Sequence, residues 1–340
     1  MSRRFEVAVI GAHAPVGEAL LELLTERRFP AGELSALVLN PGQGEHVSLS
    51  GNELEVENAA TFDFAQVQIA FLADRSPEMA AQAERAAEGG CMVIDASGHA
   101  WSDPAIPVVV PEINAAALAG FNERGIVANP SSLAVALSLV LAPLHVAGGI
   151  RGLVVTGLLA ASDSGRTALE DLARETTALL SARHYERRHF PRQIAFNLQG
   201  QIGAAEGDGF TVAESRLGAE LSWLLGVPEL EVSASLIQAP TFYGHAASVE
   251  IQFERALAVD TAAGVLRSAP GVELIESPDA EHCPTPVTDA AQSDAVQVAR
   301  LRRSRLHPQG LVLWLTADNI RRCAALNALG NAEILVRDYL

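Results

Sequence analysis

The sequence predicts a two-domain α/β protein, in which an open, mostly parallel sheet covered by helices is followed by an α+β half with longer strands. Three observations carry this reading. The chain opens on an apolar strand, a glycine-containing turn and an amphipathic helix. Short apolar runs then alternate with helical segments as far as Asn129-Pro130. Past that point the apolar runs lengthen and begin to alternate with polar residues. A chain of 340 residues is also too long for one core of ordinary size and suits two.

Each element has its own signal. Glu6 to Ile10 is a buried-type strand, and Glu18 to Arg27 carries Leu20, Leu21, Leu23 and Leu24 at helical spacing. Strands are expected at Ser35 to Asn40, Gln68 to Leu72, Met92 to Ile94, Val108 to Val110 and Gly125 to Val127. An Ala-rich helix is expected at Pro77 to Glu88. Strands this short and apolar, separated by helices, belong in a sheet covered on both faces. Ser131 to Val146 then reads as a nearly all-apolar helix, Leu153 to Ala161 as a long strand, and Thr167 to Leu180 as an amphipathic helix. Val232 to Gln238 and Ser248 to Phe253 alternate as antiparallel strands do. Thr261 to Ser268 is expected to be helical, Leu311 to Leu315 a strand, and Asn319 to Val336 the final helix.

Composition excludes several classes of function. Apolar residues make up 49% and charged residues 19%, which fits a packed protein and not a disordered one. A net charge of −17 argues against a nucleic-acid partner, which needs a basic face. The compact basic run Arg300 to Arg305 reads as a solvated or salt-bridged stretch before it reads as a phosphate site. All 24 basic side chains are arginine, so no Schiff base, pyridoxal linkage or P-loop lysine can form. Cys91, Cys283 and Cys323 are scattered, with neither metal-type nor redox spacing, and no metal site is expected. No apolar run reaches the length of a membrane span, and the basic N-terminus leads straight into strand-like sequence. No membrane partner and a cytoplasmic location are therefore the expectations.

The first motif is Gly11-x-x-Ala14-x-x-Gly17 between the first strand and helix. Such a turn lets backbone N–H groups approach a pyrophosphate at a helix N-terminus. With alanine at its middle position it also fits an ordinary tight turn. Longer stretches go further: GAHAPVGEALLELLTERRFP, CMVIDASGHAWSDPAIPVVVPEIN, GIVANPSS, FNLQGQIG, GFTVAESRLGAELSWLLG, VSASLIQAPTFYGHAASVEIQFE and GLVLWLTADNIRRCAALNALGNAEILV. Together, in this order, they resemble the aspartate-semialdehyde dehydrogenase family, whose members act on an acyl phosphate with NADPH in amino-acid biosynthesis. The resemblance implies a Rossmann-like dinucleotide-binding domain at 1–129 with 321–340. It also implies a catalytic and dimerisation domain at 130–320, and a homodimer.

Carried over residue by residue, the resemblance implies an altered site. The family's cysteine nucleophile falls on Ser132, after Asn129-Pro130-Ser131. Its orienting glutamine falls on Leu159, its carboxylate-binding arginine on Gln238, and its phosphate-binding arginine on Trp101. The active-site histidine is kept as His245, and the acidic substrate contact as Glu220 beside Arg216. A bidentate arginine clamp is not replaced by Gln or Trp without losing its charge-assisted bonds. For the cofactor, NADP or NAD, the implied contacts are Gly11, Ala14, Val16, Gly17 and Asn319. Against NADP stand LVLNPGQGEH, which lacks a basic group, and Ala73-Asp74-Arg75-Ser76 in place of a glycine-containing turn.

Structural and functional readings stand side by side at each position. Ser132 is a helix cap or a nucleophile, and His245 a buried structural histidine or a base. Asp318-Asn319 is a helix cap or a nicotinamide contact, while Trp101 and Trp314 read as packing. Three functions follow. The first is a catalytically defective relative that keeps the fold and dimer, with itself or with an intact relative. The second is a nicotinamide-dependent oxidoreductase on another substrate, using His245. The third is an acyl hydrolase built on Ser132, His245 and Glu220.

Overall fold

The computed structural model describes residues 3–49 and 51–340. It contains two compact units, Met1–Ser131 with Ala324–Leu340, and Ser132–Cys323. Among the described residues no helix is long and apolar enough to cross a membrane.

The first unit is built on a seven-stranded sheet. Its elements are β1 (Phe5–Ile10), α1 (Pro15–Glu26), β2 (Ala31–Val38), β3 (His46–Leu49), β4 (Asn52–Asn58), β5 (Ile69–Leu72), α2 (Pro77–Glu88), β6 (Met92–Asp95), a single turn α3 (Pro111–Asn114) and β7 (Ile126–Ala128). The sheet order is β3-β4-β2-β1-β5-β6-β7, and only the β3–β4 pair is antiparallel. Counting parallel strands alone, that is third, second, first, fourth, fifth, sixth, the doubly wound order whose switch point lies beside β1. β5 and β6 are buried at every residue, as strands covered on both faces must be.

One expectation for this unit needs correction, and one hairpin was not foreseen. Val108 to Val110 forms no strand, and only a parallel bridge joins Val108 to Ala128. Pro107 and Pro111 flank the segment, and a proline offers no N–H to extend a ladder. The β3–β4 hairpin was not anticipated, because only Val47, Leu49, Leu54 and Val56 give its strands an apolar side.

The second unit carries α4 (Ser132–Gly148), β8 (Ile150–Leu159), α5 (Arg166–Leu180), α6 (Val212–Leu225), β9 (Glu231–Gln238), β10 (His245–Phe253), α7 (Val259–Arg267), β11 (Val272–Ile275), β12 (Val296–Arg303) and β13 (Gly310–Ala317). Its six-stranded sheet runs β11-β12-β13-β10-β8-β9. β10 is antiparallel to both β8 and β13, as expected, but β9 runs parallel to β8. The alternation in β9 reports that one face is buried; it carries no information on strand direction. α4 packs against α6, α7 and the sheet. Gly157 of β8 makes room for it, since a Cβ there would lie 2.8 Å from Leu133. The opposite face leaves Val154, Thr156, Ser233, Ser235 and Ser248 exposed.

The last element, α8 (Asn327–Asp338), belongs to the first unit. The final helix is therefore not continuous from Asn319: a π-type turn at Arg321–Leu326 precedes α8. Asp318 caps that turn by accepting from the N–H groups of Ile320 and Arg321. Asn327 ties α8 to the sheet by donating to Val109 O and to Asn129 Oδ1.

Candidate functional site

In the second unit, Ser132 is the first residue of α4 and is 6% exposed. His245 opens β10 and is wholly buried. The fold brings them together: Ser132 Oγ lies 3.0 Å from His245 Nε2. A third group joins them that the sequence reading missed. Asp163 sits in the short turn Ala161–Ser164 after β8, and its Oδ1 accepts from Ser132 Oγ at 2.7 Å and lies 3.3 Å from His245 Nε2. Nothing local flags it, because Asp163 is 31 residues from Ser132 and 82 from His245 in the chain.

The proton inventory at His245 is decided by the backbone. The Ala160 N–H donates to His245 Nδ1 at 3.2 Å. The neutral ring must then carry its proton on Nε2, facing both Ser132 and Asp163. In this tautomer His245 is a donor toward the serine oxygen and cannot take its proton. The position of the ring is set by its neighbour. Gly244 has φ +84°, and a Cβ there would meet Pro286 O at 2.1 Å. Its N–H donates to Asn319 Oδ1 at 2.9 Å.

The other expected residues take defined places. Gln238 is buried and its amide donates to Leu159 O and Ala239 O, so it locks the ends of β8 and β9. The Leu159 side chain is buried at the end of β8. Arg216 and the buried Glu220 form an i,i+4 ion pair on α6 at 2.8 Å. Asn319 is 1% exposed, and its amide bonds Ser162 as well as Gly244. The acid beside His245 is Asp163, while the Glu220 carboxylate pairs with Arg216. An exposed turn holds Asp279, Glu281 and His282 with ligand atoms within 4.8 Å of one another.

In the first unit, the turn after β1 is a tight, glycine-containing link into α1. Gly11 adopts φ +87°, and the N–H groups of Gly11 and Ala12 both donate to Leu37 O. Ala14 is extended and caps α1, with Pro15 at its first position. The first-turn N–H groups of Val16 and Gly17 have no acceptor within the helix, which is what receives an anion. A Cβ at Gly17 would lie 2.4 Å from Gly11 O, so glycine is what lets the helix rest on the turn. Asp74 packs on Gly11, whose added Cβ would lie 2.6 Å from Asp74 Cβ. Arg75 turns away to donate to Ser97 O. In the loop after β2, Glu45 accepts from Gly42 N–H and pairs with His13 of the turn at 3.3 Å. Trp101 packs against the core of this unit.

The cysteines are placed elsewhere. Cys91 is buried in the first unit with its thiol against Phe64 O and Val67 O, and burial pushes its pKa up to about 11. Cys323 is buried and Cys283 half-buried.

Comparison with known proteins adds the following. Residues 6–121 match the family model for a semialdehyde dehydrogenase NAD binding domain, and residues 141–322 that for a semialdehyde dehydrogenase dimerisation domain. An aspartate-semialdehyde dehydrogenase of Shewanella violacea is 37% identical over 339 residues, covering all of both chains. A protein of Azotobacter vinelandii named USG-1 protein homolog is 40% identical over 337 residues, 99% of each chain. The crystal structure of aspartate semialdehyde dehydrogenase II from Vibrio cholerae complexed with ASA superposes with a TM-score of 0.95 at 37% identity, covering 100% of each chain.

Proposed function

The chain belongs to the semialdehyde dehydrogenase family, and from that membership we propose that it keeps the family's frame without its phosphate-dependent oxidation of aspartate semialdehyde. The observation that carries this is the side chain at the head of α4: a serine hydroxyl, hydrogen-bonded to Asp163 and facing the Nε2–H of His245.

The chemistry implied by the family needs a thiolate that attacks the aldehyde carbon to give a thiohemiacetal; loss of hydride from that carbon leaves a thioester, from which phosphate displaces the thiolate. A thiol starts near pKa 8.5, roughly, and a helix end beside a histidine brings it into range. A hydroxyl lies close to water, far above the thiol range. A helix N-terminus contributes about 1–2 kcal/mol, roughly one pKa unit, which is far too little. General-base assistance would be the remedy, but the nearby histidine nitrogen already holds a proton. Carboxylates as a class, at about 3.9, are too weak as bases to complete the transfer. The anion clamps expected from the family are absent as well, with neutral Gln238 engaged by backbone carbonyls and the half-buried Trp101 packed against a core.

The turn at Gly11 to Gly17 suits the pyrophosphate of a dinucleotide, held by Gly11, Ala14, Val16 and Gly17. A nicotinamide bound there would supply a hydride acceptor. The loop after β2 offers Glu45 and no arginine, which suits a ribose hydroxyl and opposes a 2′-phosphate. The reading is therefore NAD in preference to NADP. Assembly through the dimerisation domain gives a homodimer, and the exposed sheet face at Val154, Thr156 and Ser248 is available for it.

Intact-mass measurement tests the proposal. Protein incubated with aspartate semialdehyde and NAD or NADP is expected to show no acyl adduct. An adduct that Ser132→Ala removes would overturn the reading.

A further inference from the structure

We propose that Asp163 is a positioning residue and a second, independent block on thiolate chemistry: its carboxylate keeps a proton on whatever side chain occupies position 132. This rests on the reading of Ser132 above, and it adds that restoring a cysteine there would not restore the site.

The geometry is specific. Asp163 Oδ1 accepts from Ser132 Oγ at 2.7 Å, and the Asp163 side chain is only 20% exposed, so water screens it weakly. Ionising the atom at position 132 would place two negative charges at that separation. Like charge at such range raises a pKa by about one unit or more, against the lowering from the helix end. Ser132 Oγ is faced by His245 from β10 and by Asp163 from the turn after β8, and the first turn of α4 holds no acid of its own. His245 does not offset Asp163, because its Nε2–H is shared between the two oxygens.

The carboxylate is also held in place. Within its turn Ala161 N–H donates to Thr241 O, Ser162 N–H to Phe242 O, Asp163 N–H to Ala160 O and Gly165 N–H to Ser162 O. Ser162 is bonded in turn to the buried Asn319. A turn bonded at successive residues does not swing its acid away when a nearby side chain changes.

The test uses three full-length variants: Ser132→Cys alone, with Asp163→Asn, and with Asp163→Gly. Iodoacetamide labelling of residue 132 is followed by peptide mass spectrometry from about pH 5 to about pH 10, which separates it from the three native cysteines. The single variant is expected to label slowly at neutral pH, with a midpoint at or above the ordinary thiol value of about 8.5. Either change at Asp163 is expected to lower the midpoint by at least about one unit and to speed labelling at neutral pH about tenfold. Coincident profiles in all three would overturn the proposal. If Asn alone failed to shift the profile while Gly did, shape and not charge would be responsible, and the proposal would fall. Turnover by the wild-type chain would count against the reading of function, yet these profiles would still decide Asp163.

Discussion

At the scale of single residues, the site is defined by where three protons sit. The Ala160 N–H occupies His245 Nδ1, the ring proton faces outward on Nε2, and the Ser132 proton goes to Asp163. Nitrogen-15 chemical shifts of His245 at neutral pH are expected to report the Nε2–H tautomer, and a Nδ1–H ring would contradict this account. The same inventory predicts that Ser132→Ala hydrolyses activated esters at the rate of the parent. Loss of that rate in the variant would revive the hydrolase reading. Ser132 and His245 were legible through their flanking motifs, since both lie in stretches that resemble the family closely. Asp163 was invisible, because a turn residue far along the chain reaches the helix end only through the fold.

At the scale of elements, two arrangements invite tests. Gly17 of α1 rests on Gly11 O with no room for a Cβ. Gly17→Ala is expected to cost about 2 kcal/mol in chemical denaturation, and an unchanged midpoint would argue that the helix can shift. On α5, Asp171 and Glu175 are buried one turn apart and organise residues 185–195. Burial alone would raise the Asp171 pKa, but the N–H groups of His189, Arg188 and Phe190 and the Tyr185 hydroxyl hold it below the usual carboxylate range. A depressed folded value stabilises above the unfolded pKa of about 3.9, and the contribution is lost as pH falls through the folded value. Asp171→Asn is expected to lower stability by about 2 kcal/mol at neutral pH and to flatten the acid limb of the pH profile. Parallel acid limbs in parent and variant would contradict it. Helices such as α2 and α5 were legible because their apolar spacing is regular, and α2 begins and ends where expected. The direction of β9 was not, since pleated alternation is the same in parallel and antiparallel pairs.

At the scale of the molecule, two frames persist. The parallel order around β1 and the mixed sheet of the second unit both agree with the fold class read from the sequence. That class was readable because short buried strands, helices between them and the change after Pro130 are global patterns that single substitutions do not erase. Cofactor choice is less visible in such patterns, because it turns on one loop. Titration by intrinsic fluorescence is expected to show NAD binding at least about tenfold tighter than NADP, and the reverse order would remove the argument from Glu45. The most direct test of the whole account is steady-state turnover. The purified protein is mixed with aspartate semialdehyde, phosphate and NAD or NADP, beside a cysteine-containing family enzyme, and reduced cofactor is followed by absorbance. The account predicts no rate above background while the control runs, whereas a robust phosphate-dependent rate would mean that a nucleophile operates here which the hydroxyl of Ser132, held between Asp163 and His245, is argued not to be.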